Sequence, residues 1–298
     1  MSEMNSQALK AKIKNLIGGN DSTKAQVFLR NYFMERFLAR LSQSEYKENF
    51  VLKGGMLVSA LIGIQQRYTM DMDTTLRSKP LTEKDVRNMV NTISSIDLKD
   101  NIHFEIDGKS EIMSEFEYPG IRLNLIATLD RLRQPMKLDI STGDVLTPGA
   151  ITLAYKPMFG DKEFELYTYS LETLLAEKLE TIIARVETNT RMRDFYDIHM
   201  IHYLHENDID ISVLHDALAS TSEHRGTLFN LERYDEIFGE LSSSLIMANR
   251  WSEYKDKHYF VEELSWEDVI GTAWQLTEQA VDPIEGESED ETITPAMV

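Results

Sequence analysis

The chain of 298 residues contains no cysteine, which excludes thiol catalysis, disulfide bonds and thiolate zinc sites. It also lacks any apolar run approaching the roughly 20 residues that a membrane-spanning helix needs. Its first residues, MSEMNSQALKAKIKNL, include no continuous apolar stretch, so we expect no signal peptide. Together these absences predict a cytoplasmic protein with no membrane association.

Basic residues are scarce in the last third of the chain. Residues 201–298 contain 5 Lys/Arg and 22 Asp/Glu, which accounts for most of the formal net charge of −19. Residues 1–200 are close to neutral and could still present a basic groove to a phosphate backbone. Residues 281–298 are acidic and lack aromatic side chains, so we predict a disordered tail there.

Hydrophobic periodicity divides the rest of the chain into two parts. Helical patterns cover 22–42, 56–62, 82–95, 171–187 and 192–205, and strand-like patterns cover 50–52, 67–76, 103–106, 121–128, 136–141 and 151–155. Ser170 is the predicted N-cap of the helix over 171–187. The pattern predicts an α+β fold. A mixed sheet flanked by helices occupies residues 1–160, and a mainly helical C-terminal domain occupies residues 161–280.

Two aspartates in the stretch RYTMDMDTTL are spaced as neighbours on one face of a strand. Side chains at i and i+2 point the same way, so Asp71 and Asp73 should project together, with Met70 and Met72 on the opposite face. In MKLDIS, Asp139 projects from the polar face of another strand. Carboxylates suit Mg²⁺, and three of them could hold two ions that activate an attacking oxygen and stabilise a leaving phosphate. On spacing alone, Asp-X-Asp is more often a solvated strand edge.

Gly54 and Gly55 precede the Asp-X-Asp by one helix and a turn. Residues without side chains let backbone N–H groups approach a triphosphate, although glycine is also tolerated where a helix simply begins. No Gly-Lys-Ser/Thr follows the pair, so it is not a Walker loop. The sequence also lacks G-x-G-x-x-G and G-x-S-x-G, so it does not support a dinucleotide-binding or serine-hydrolase function.

The helix predicted over 171–187 carries a lysine among its apolar residues. At about 100° per residue, Lys178 falls inside the leucine and isoleucine stripe. A buried ammonium group needs a partner, so Lys178 either extends to the surface or contacts nucleotide phosphates. On the next helix, Asp194 and Asp197 share the apolar side. One of them could pair with Lys178 or Arg193 or act as a general base, and an ordinary buried salt bridge is the competing interpretation.

Five short segments are informative because of their order. They are LKGG (52–55), RYTMDMD (67–73), KLD (137–139), LLAEKLE (174–180) and RMRDFYD (191–197). In that order they resemble the AbiEii/AbiGii toxin family, which belongs to the DNA polymerase β-like nucleotidyltransferase superfamily, and the resemblance covers roughly residues 25–205. Superfamily members often carry Gly-Ser where this chain has Gly54-Gly55, which removes one hydroxyl at the phosphates.

The resemblance implies a nucleotidyltransferase-type sheet and Mg²⁺-dependent transfer of a nucleoside monophosphate from an NTP. It assigns Asp71, Asp73 and Asp139 to metal binding, with Asp139 also a candidate base for the acceptor hydroxyl. Lys178 would act with Asp194 or Asp197 in catalysis, without a choice between the two aspartates. The implied nucleotide-binding residues are Lys53, Gly54, Gly55, Arg67, Thr69, Lys178, Arg185 and Arg193.

The resemblance also implies a biological role. Members of the family are the toxin halves of toxin–antitoxin pairs, and some abort phage infection. Related MenT-type toxins add nucleotides to the 3′ end of tRNA, so we expect tRNA as the acceptor and arrest of translation and growth. A cognate antitoxin is implied as a partner, with direct binding left open. The alternatives are nucleotidylation of a protein side chain and a non-catalytic module that binds a nucleotide or a partner.

Overall fold

The computed structural model describes residues 4–113, 120–160 and 162–282. Its helices are α1 (Ser6–Ile17), α2 (Ser22–Leu41), α3 (Gly54–Ile62), α4 (Glu83–Ser94), α5 (Leu171–Arg185), α6 (Met192–His205), α7 (Ile211–His224), α8 (Tyr234–Ser243), α9 (Leu245–Lys257) and α10 (Trp266–Val281). Its strands are β1 (Phe50–Lys53), β2 (Met72–Leu76), β3 (Ile102–Met113), β4 (Gly120–Leu129), β5 (Leu132–Ser141), β6 (Ile151–Tyr155) and β7 (Phe164–Thr168).

The described strands form one mixed sheet in the order β3-β4-β5-β2-β1-β7-β6. β1 is parallel to β7 and β2 is parallel to β5, whereas the other neighbouring pairs are antiparallel. This confirms the predicted α+β class, with a mixed sheet followed by a mainly helical region. β7 lies beyond residue 160 and pairs with β1, and the division of the chain at residue 160 stays a prediction. Residues 283–298 of the predicted tail lie outside the described residues.

Alternating side chains give the sheet one apolar face and one polar face at its centre. Met72, Leu138 and Leu123 stand side by side on β2, β5 and β4 and are fully buried. α2 packs across β5 and β7, and its side facing the sheet is rich in phenylalanine and leucine. The polar residues that alternate with this row project from the opposite face. That face is the one on which the predicted carboxylates lie.

The strand predicted over 67–76 is wrong at its first half, because only Met72–Leu76 pairs with other strands. The backbone before it bonds to helices instead. Asn31 Nδ2 donates to the carbonyl of Thr69 at 2.9 Å, and Ser59 Oγ donates to that of Arg67 at 2.5 Å. Met70 was expected on the same face as Met72, but Met72 is fully buried and Met70 is 43% exposed. Asp71 therefore sits in a loop immediately before β2.

Two elements, α1 and β7, were not predicted from the hydrophobic periodicity. α1 is bounded by Asn5, whose side chain accepts from the amide of Ala8, and by Gly18 in the left-handed conformation, which is an ordinary pair of helix-end signals. β7 is short and lies next to the predicted domain boundary. Among the described residues, no helix combines the length and apolar character that a membrane-spanning segment requires.

A buried carboxyl group joins α2 to the segment after β6. Glu35 accepts a hydrogen bond from the amide of Met158 at 2.9 Å and one from the Tyr155 hydroxyl at 3.4 Å. Burial raises the pKa of Glu35 to about 8, and these two hydrogen bonds only partly oppose that increase. The folded protein therefore holds a proton on Glu35 at neutral pH.

Replacing Glu35 with glutamine should change how stability depends on pH. The folded-state pKa of about 8 lies above the ordinary value of 4.5, so the native state binds more protons between those values and its free energy of unfolding falls as pH rises. Glutamine does not titrate, so Glu35→Gln should gain stability over wild type between pH 5 and pH 8. Urea unfolding at both pH values measures this. The exposed Glu262→Gln should show no such gain, and an equal gain in both variants would contradict the assignment.

Candidate active site

A cleft of about 400 Å³ lies between the polar face of the sheet and helices α5 and α6. It is lined by nearly all of the predicted site residues, namely Lys53, Gly54, Gly55, Arg67, Thr69, Asp71, Asp73, Asp139, Lys178, Arg185, Arg193 and Asp194. Asp197 is the exception, since it is fully buried behind the wall. Residues far apart in sequence thus meet in one concave space of a size that suits a small-molecule ligand.

Four charged residues form one row across the floor of the cleft. Lys53 lies opposite Asp73, Asp73 lies beside Asp139, and Asp139 lies opposite Arg122, on the neighbouring strands β1, β2, β5 and β4. All four line the cleft. The sheet register therefore places two adjacent carboxylates between two flanking cations.

Arg122 holds Asp139 through two parallel hydrogen bonds. Nε donates to Oδ1 at 2.7 Å and Nη2 donates to Oδ2 at 2.6 Å, which is the strong bidentate geometry of an arginine–carboxylate pair. The sequence analysis missed Arg122. A signal existed, because a two-residue turn between Leu129 and Leu132 joins β4 to β5, and the register of such a hairpin fixes every opposing pair.

Lys53 at the other end of the row pairs with Asp144, which the sequence analysis also missed. Asp144 accepts from Lys53 Nζ at 2.5 Å and from Ser141 Oγ at 2.7 Å, and Thr75 Oγ1 donates to it as well. Burial alone would raise the pKa of Asp144, but Lys53 and the two hydroxyls outweigh it and lower the pKa. Lys53 is thereby fixed as a cation at the edge of the cleft.

Asp71 and Asp73 differ from the other acidic residues of the cleft. Within the described part of the chain, neither carboxylate forms a hydrogen bond or an ion pair, whereas Asp139 and Asp194 each have a cationic partner. Burial and the neighbouring Asp139 raise the pKa of Asp73, and Lys53 opposes them only partly. Concentrated negative charge without donors fits a site for a hard divalent cation.

The three predicted metal ligands do not converge as a set. Over residues 4–113, 120–160 and 162–282, no group of three or more His, Asp or Glu side chains is placed to hold a metal ion. Asp139 is turned toward Arg122, which separates its role from that of the Asp71–Asp73 pair. The assignment of all three aspartates to metal stays a prediction.

Gly54 and Gly55 are required by close contacts with the loop and with β2. A Cβ atom on Gly54 would lie 2.4 Å from Asp73 Oδ2, and one on Gly55 would lie 2.5 Å from Thr69 Oγ1. Gly54 also has φ +61, which only glycine adopts readily. The pair therefore lets the first turn of α3 approach Asp73, and the free N–H groups of that turn lie at the cleft.

Lys178 is buried between two aspartates of α6. Its Nζ lies 2.6 Å from Asp194 Oδ1 and 2.8 Å from Asp197 Oδ2. Arg67 Nε donates to the other oxygen of Asp197 at 2.7 Å. The predicted pairing of Lys178 with an aspartate is present, and the network fastens the loop before β2 to helices α5 and α6. An ammonium group has three donors, so one remains to face the cleft.

Comparisons with known proteins identify the family of the chain. A sequence model described as nucleotidyl transferase AbiEii toxin, type IV toxin–antitoxin system, matches residues 36–272. The chain belongs to this family. None of the curated proteins matches it.

Two solved structures share the fold of this AbiEii-family protein. A candidate nucleotidyltransferase from H. pylori superposes with a TM-score of 0.52 at 14% identity, covering 86% of this chain and 95% of that one. JHP933 from Helicobacter pylori has a TM-score of 0.50 at 16% identity, covering 86% and 92%. At this identity the likeness concerns the fold, so the residue roles depend on the site itself.

Replacing Gly54 with alanine should disable this AbiEii-family site without unfolding the protein. The added Cβ must displace the Asp73 carboxylate, and a misplacement of about 1 Å can cost roughly a hundredfold in rate. Nucleotide transfer and thermal unfolding should be measured on the same preparation. Gly271, inside α10, has open space around it, so Gly271→Ala should keep full activity. Normal activity of Gly54→Ala would contradict the tight approach.

Proposed function

We propose that this protein transfers a nucleoside monophosphate from an NTP to the 3′ hydroxyl of an RNA, with tRNA as the acceptor and Mg²⁺ as the required ion. The observation that carries the proposal is the Asp71–Asp73 pair, whose carboxylates have no donors among the described residues and line the cleft, with Asp73 against the first turn of α3. The membership of the AbiEii family supports the same reaction class.

The carboxylates of Asp71 and Asp73 would hold the ion, with Asp139 beside them in the register of the sheet. The ion would supply positive charge to the triphosphate and the leaving pyrophosphate. Asp139 is the candidate base by the family resemblance, and Arg122 fixes the orientation of its carboxylate on the floor of the cleft.

The reaction is a displacement at the α-phosphorus of the NTP. The acceptor hydroxyl oxygen forms a bond to that phosphorus, its proton passes to the base, and the bond to the bridging oxygen breaks so that pyrophosphate leaves. The protein contributes mainly position and electrostatic stabilisation to such a step. The amides of the first turn of α3 are suited to phosphate oxygens, as is the remaining donor of Lys178.

The charge of the cleft favours an anionic substrate. Its lining includes eight Lys/Arg and five Asp/Glu residues, although the whole chain carries −19. Arg191 and Arg193 line it, and neither guanidinium group forms a hydrogen bond or an ion pair within the described residues, although the backbone amide of Arg191 donates to Asn189. Two cations of this kind can meet a triphosphate or an RNA backbone.

The biological role we propose is that of the toxin in a toxin–antitoxin pair with a phage-defence function. Modifying the 3′ end of tRNA would block aminoacylation, translation and growth in the cytoplasm. The matching family is described as part of a type IV toxin–antitoxin system, which supports a cognate antitoxin as the second member of the pair. Direct contact with that antitoxin is a separate question that co-purification would answer.

The decisive experiment is to incubate the purified protein and Mg²⁺ with each α-³²P-labelled NTP and total tRNA. Label that RNase removes and protease leaves would support the proposal and identify the nucleotide. Label that protease removes, after incubation with a cell extract, would instead support transfer to a protein side chain. No label with either acceptor would contradict nucleotidyl transfer and favour a binding module.

A further inference from the structure

The charged row on the floor of the cleft is not symmetric. At one end Lys53 pairs with Asp144. At the other end Arg122 turns toward its neighbour and takes both oxygens of Asp139. The two central aspartates are adjacent in register, yet one has no donor and the other has two. Asp73 can therefore accept a cation from outside the protein, whereas Asp139 is already bound to the Arg122 guanidinium.

The Arg122 guanidinium opposes a metal ion at Asp139. A divalent ion on either Asp139 oxygen would lie about 2.1 Å from that oxygen. Because the guanidinium nitrogens are 2.6 and 2.7 Å from the same oxygens, the two cations would be within about 5 Å of each other. Like charges at that distance repel strongly in a partly enclosed cleft.

Arg122 is a permanent cation in this position. A guanidinium group stays charged at every physiological pH. The fork geometry also restricts the Asp139 carboxylate to one orientation. An ion at Asp139 would have to bind beside two short, charge-assisted hydrogen bonds that already engage both carboxylate oxygens.

We propose that Arg122 takes the place of the second metal ion. One divalent cation then binds, on Asp71 and Asp73 together with the triphosphate, and the guanidinium supplies the second positive charge over the row. This inference rests on the proposed function, since it concerns the same cleft. Arg122 is a positioning residue that acts through Asp139. The sequence led us to expect two ions, and the proposal replaces them with one ion and one arginine.

The test is to count bound Mn²⁺ by electron paramagnetic resonance in the presence of an α,β-methylene NTP, which cannot be transferred. Wild type should bind one ion per chain. Arg122→Gln should bind two ions per chain, because the cation that repels a second ion at Asp139 is then absent. The double variant Arg122→Gln with Asp139→Asn should return to one ion. Arg122→Lys should stay at one, because it keeps the charge.

The control is Arg133→Gln, because Arg133 is a largely exposed arginine on β5, outside the cleft. It should bind the same number of ions as wild type. Two ions on wild type, or no gain in Arg122→Gln, would overturn the inference. The wild-type count is decisive even if a variant fails to fold.

Transfer of label from α-³²P-NTP, measured on the same wild-type preparation, separates the two hypotheses. Two bound ions with active transfer would overturn the role of Arg122 and leave the proposed function standing. One bound ion without transfer to RNA would support the role of Arg122 in place of a second ion and contradict RNA as the acceptor. No bound ion and no transfer would overturn both.

Discussion

Replacing Asp73 with asparagine should lower nucleotidyl transfer by roughly a thousandfold or more, because catalysis here depends on charge placed at the phosphates. The fold should persist or gain stability. The Asp73 carboxylate forms no hydrogen bond within the described residues, so the substitution breaks none. Burial and the nearby Asp139 raise the pKa of Asp73, which means that the folded state already disfavours its charge, and asparagine removes that charge without changing the volume.

The measurements are single-turnover transfer from labelled NTP and the urea midpoint of the same protein. Asp216→Asn is the matched control, since Asp216 is exposed on α7 and does not line the cleft. If the Asp73→Asn variant unfolds, the loss of transfer no longer supports a catalytic role for Asp73. Growth arrest by a folded Asp73→Asn variant would favour a non-catalytic module, because toxicity would then not require transfer.

The sequence predicted the elements that carry a local signal. Asp71 and Asp73 meet in the cleft, as expected from their spacing, although Asp71 does so from a loop. Lys178 was singled out because an ammonium group on an apolar stripe needs a partner, and it has two. The Lys178 inference succeeded because helical periodicity relates residues only a few positions apart, whereas strand periodicity does not account for Asp71, which lies before β2.

Residues that depend on the pairing of strands were not predicted. Nothing near Arg122 in the sequence distinguishes it from other polar residues on an alternating strand. Its role appears only when the register places it opposite Asp139. Asp144 likewise lies in a loop after β5 and becomes informative because β1 brings Lys53 to it. The net charge of the whole chain does not describe the cleft, where basic residues predominate, as the near-neutral balance of residues 1–200 allowed.

Replacing Lys178 with methionine should cost roughly 3–5 kcal/mol of unfolding free energy, the usual penalty for removing one partner of a buried ion pair. Methionine preserves the volume of the lysine stem but leaves Asp194 without its cation. Asp197 would keep only Arg67. Burial alone would raise the pKa of Asp197, whereas Arg67 and Lys178 outweigh it and lower the pKa. Urea unfolding at neutral pH measures the loss, and an unchanged midpoint would show that the network contributes little.

The double variant Lys178→Met with Asp194→Leu separates the structural role of Lys178 from a role in catalysis. It removes the unpaired carboxylate and leaves the bonds of Arg67 to Asp197, at 2.7 and 3.3 Å, in place. Well-packed apolar replacements of a buried pair are often neutral, so most of the lost stability should return. If transfer returned with it, Lys178 would serve only to fasten α5 to α6. If stability returned and transfer did not, the Lys178–Asp194 pair itself acts in catalysis, because the scaffold would then be intact and only these two cleft-lining charges missing.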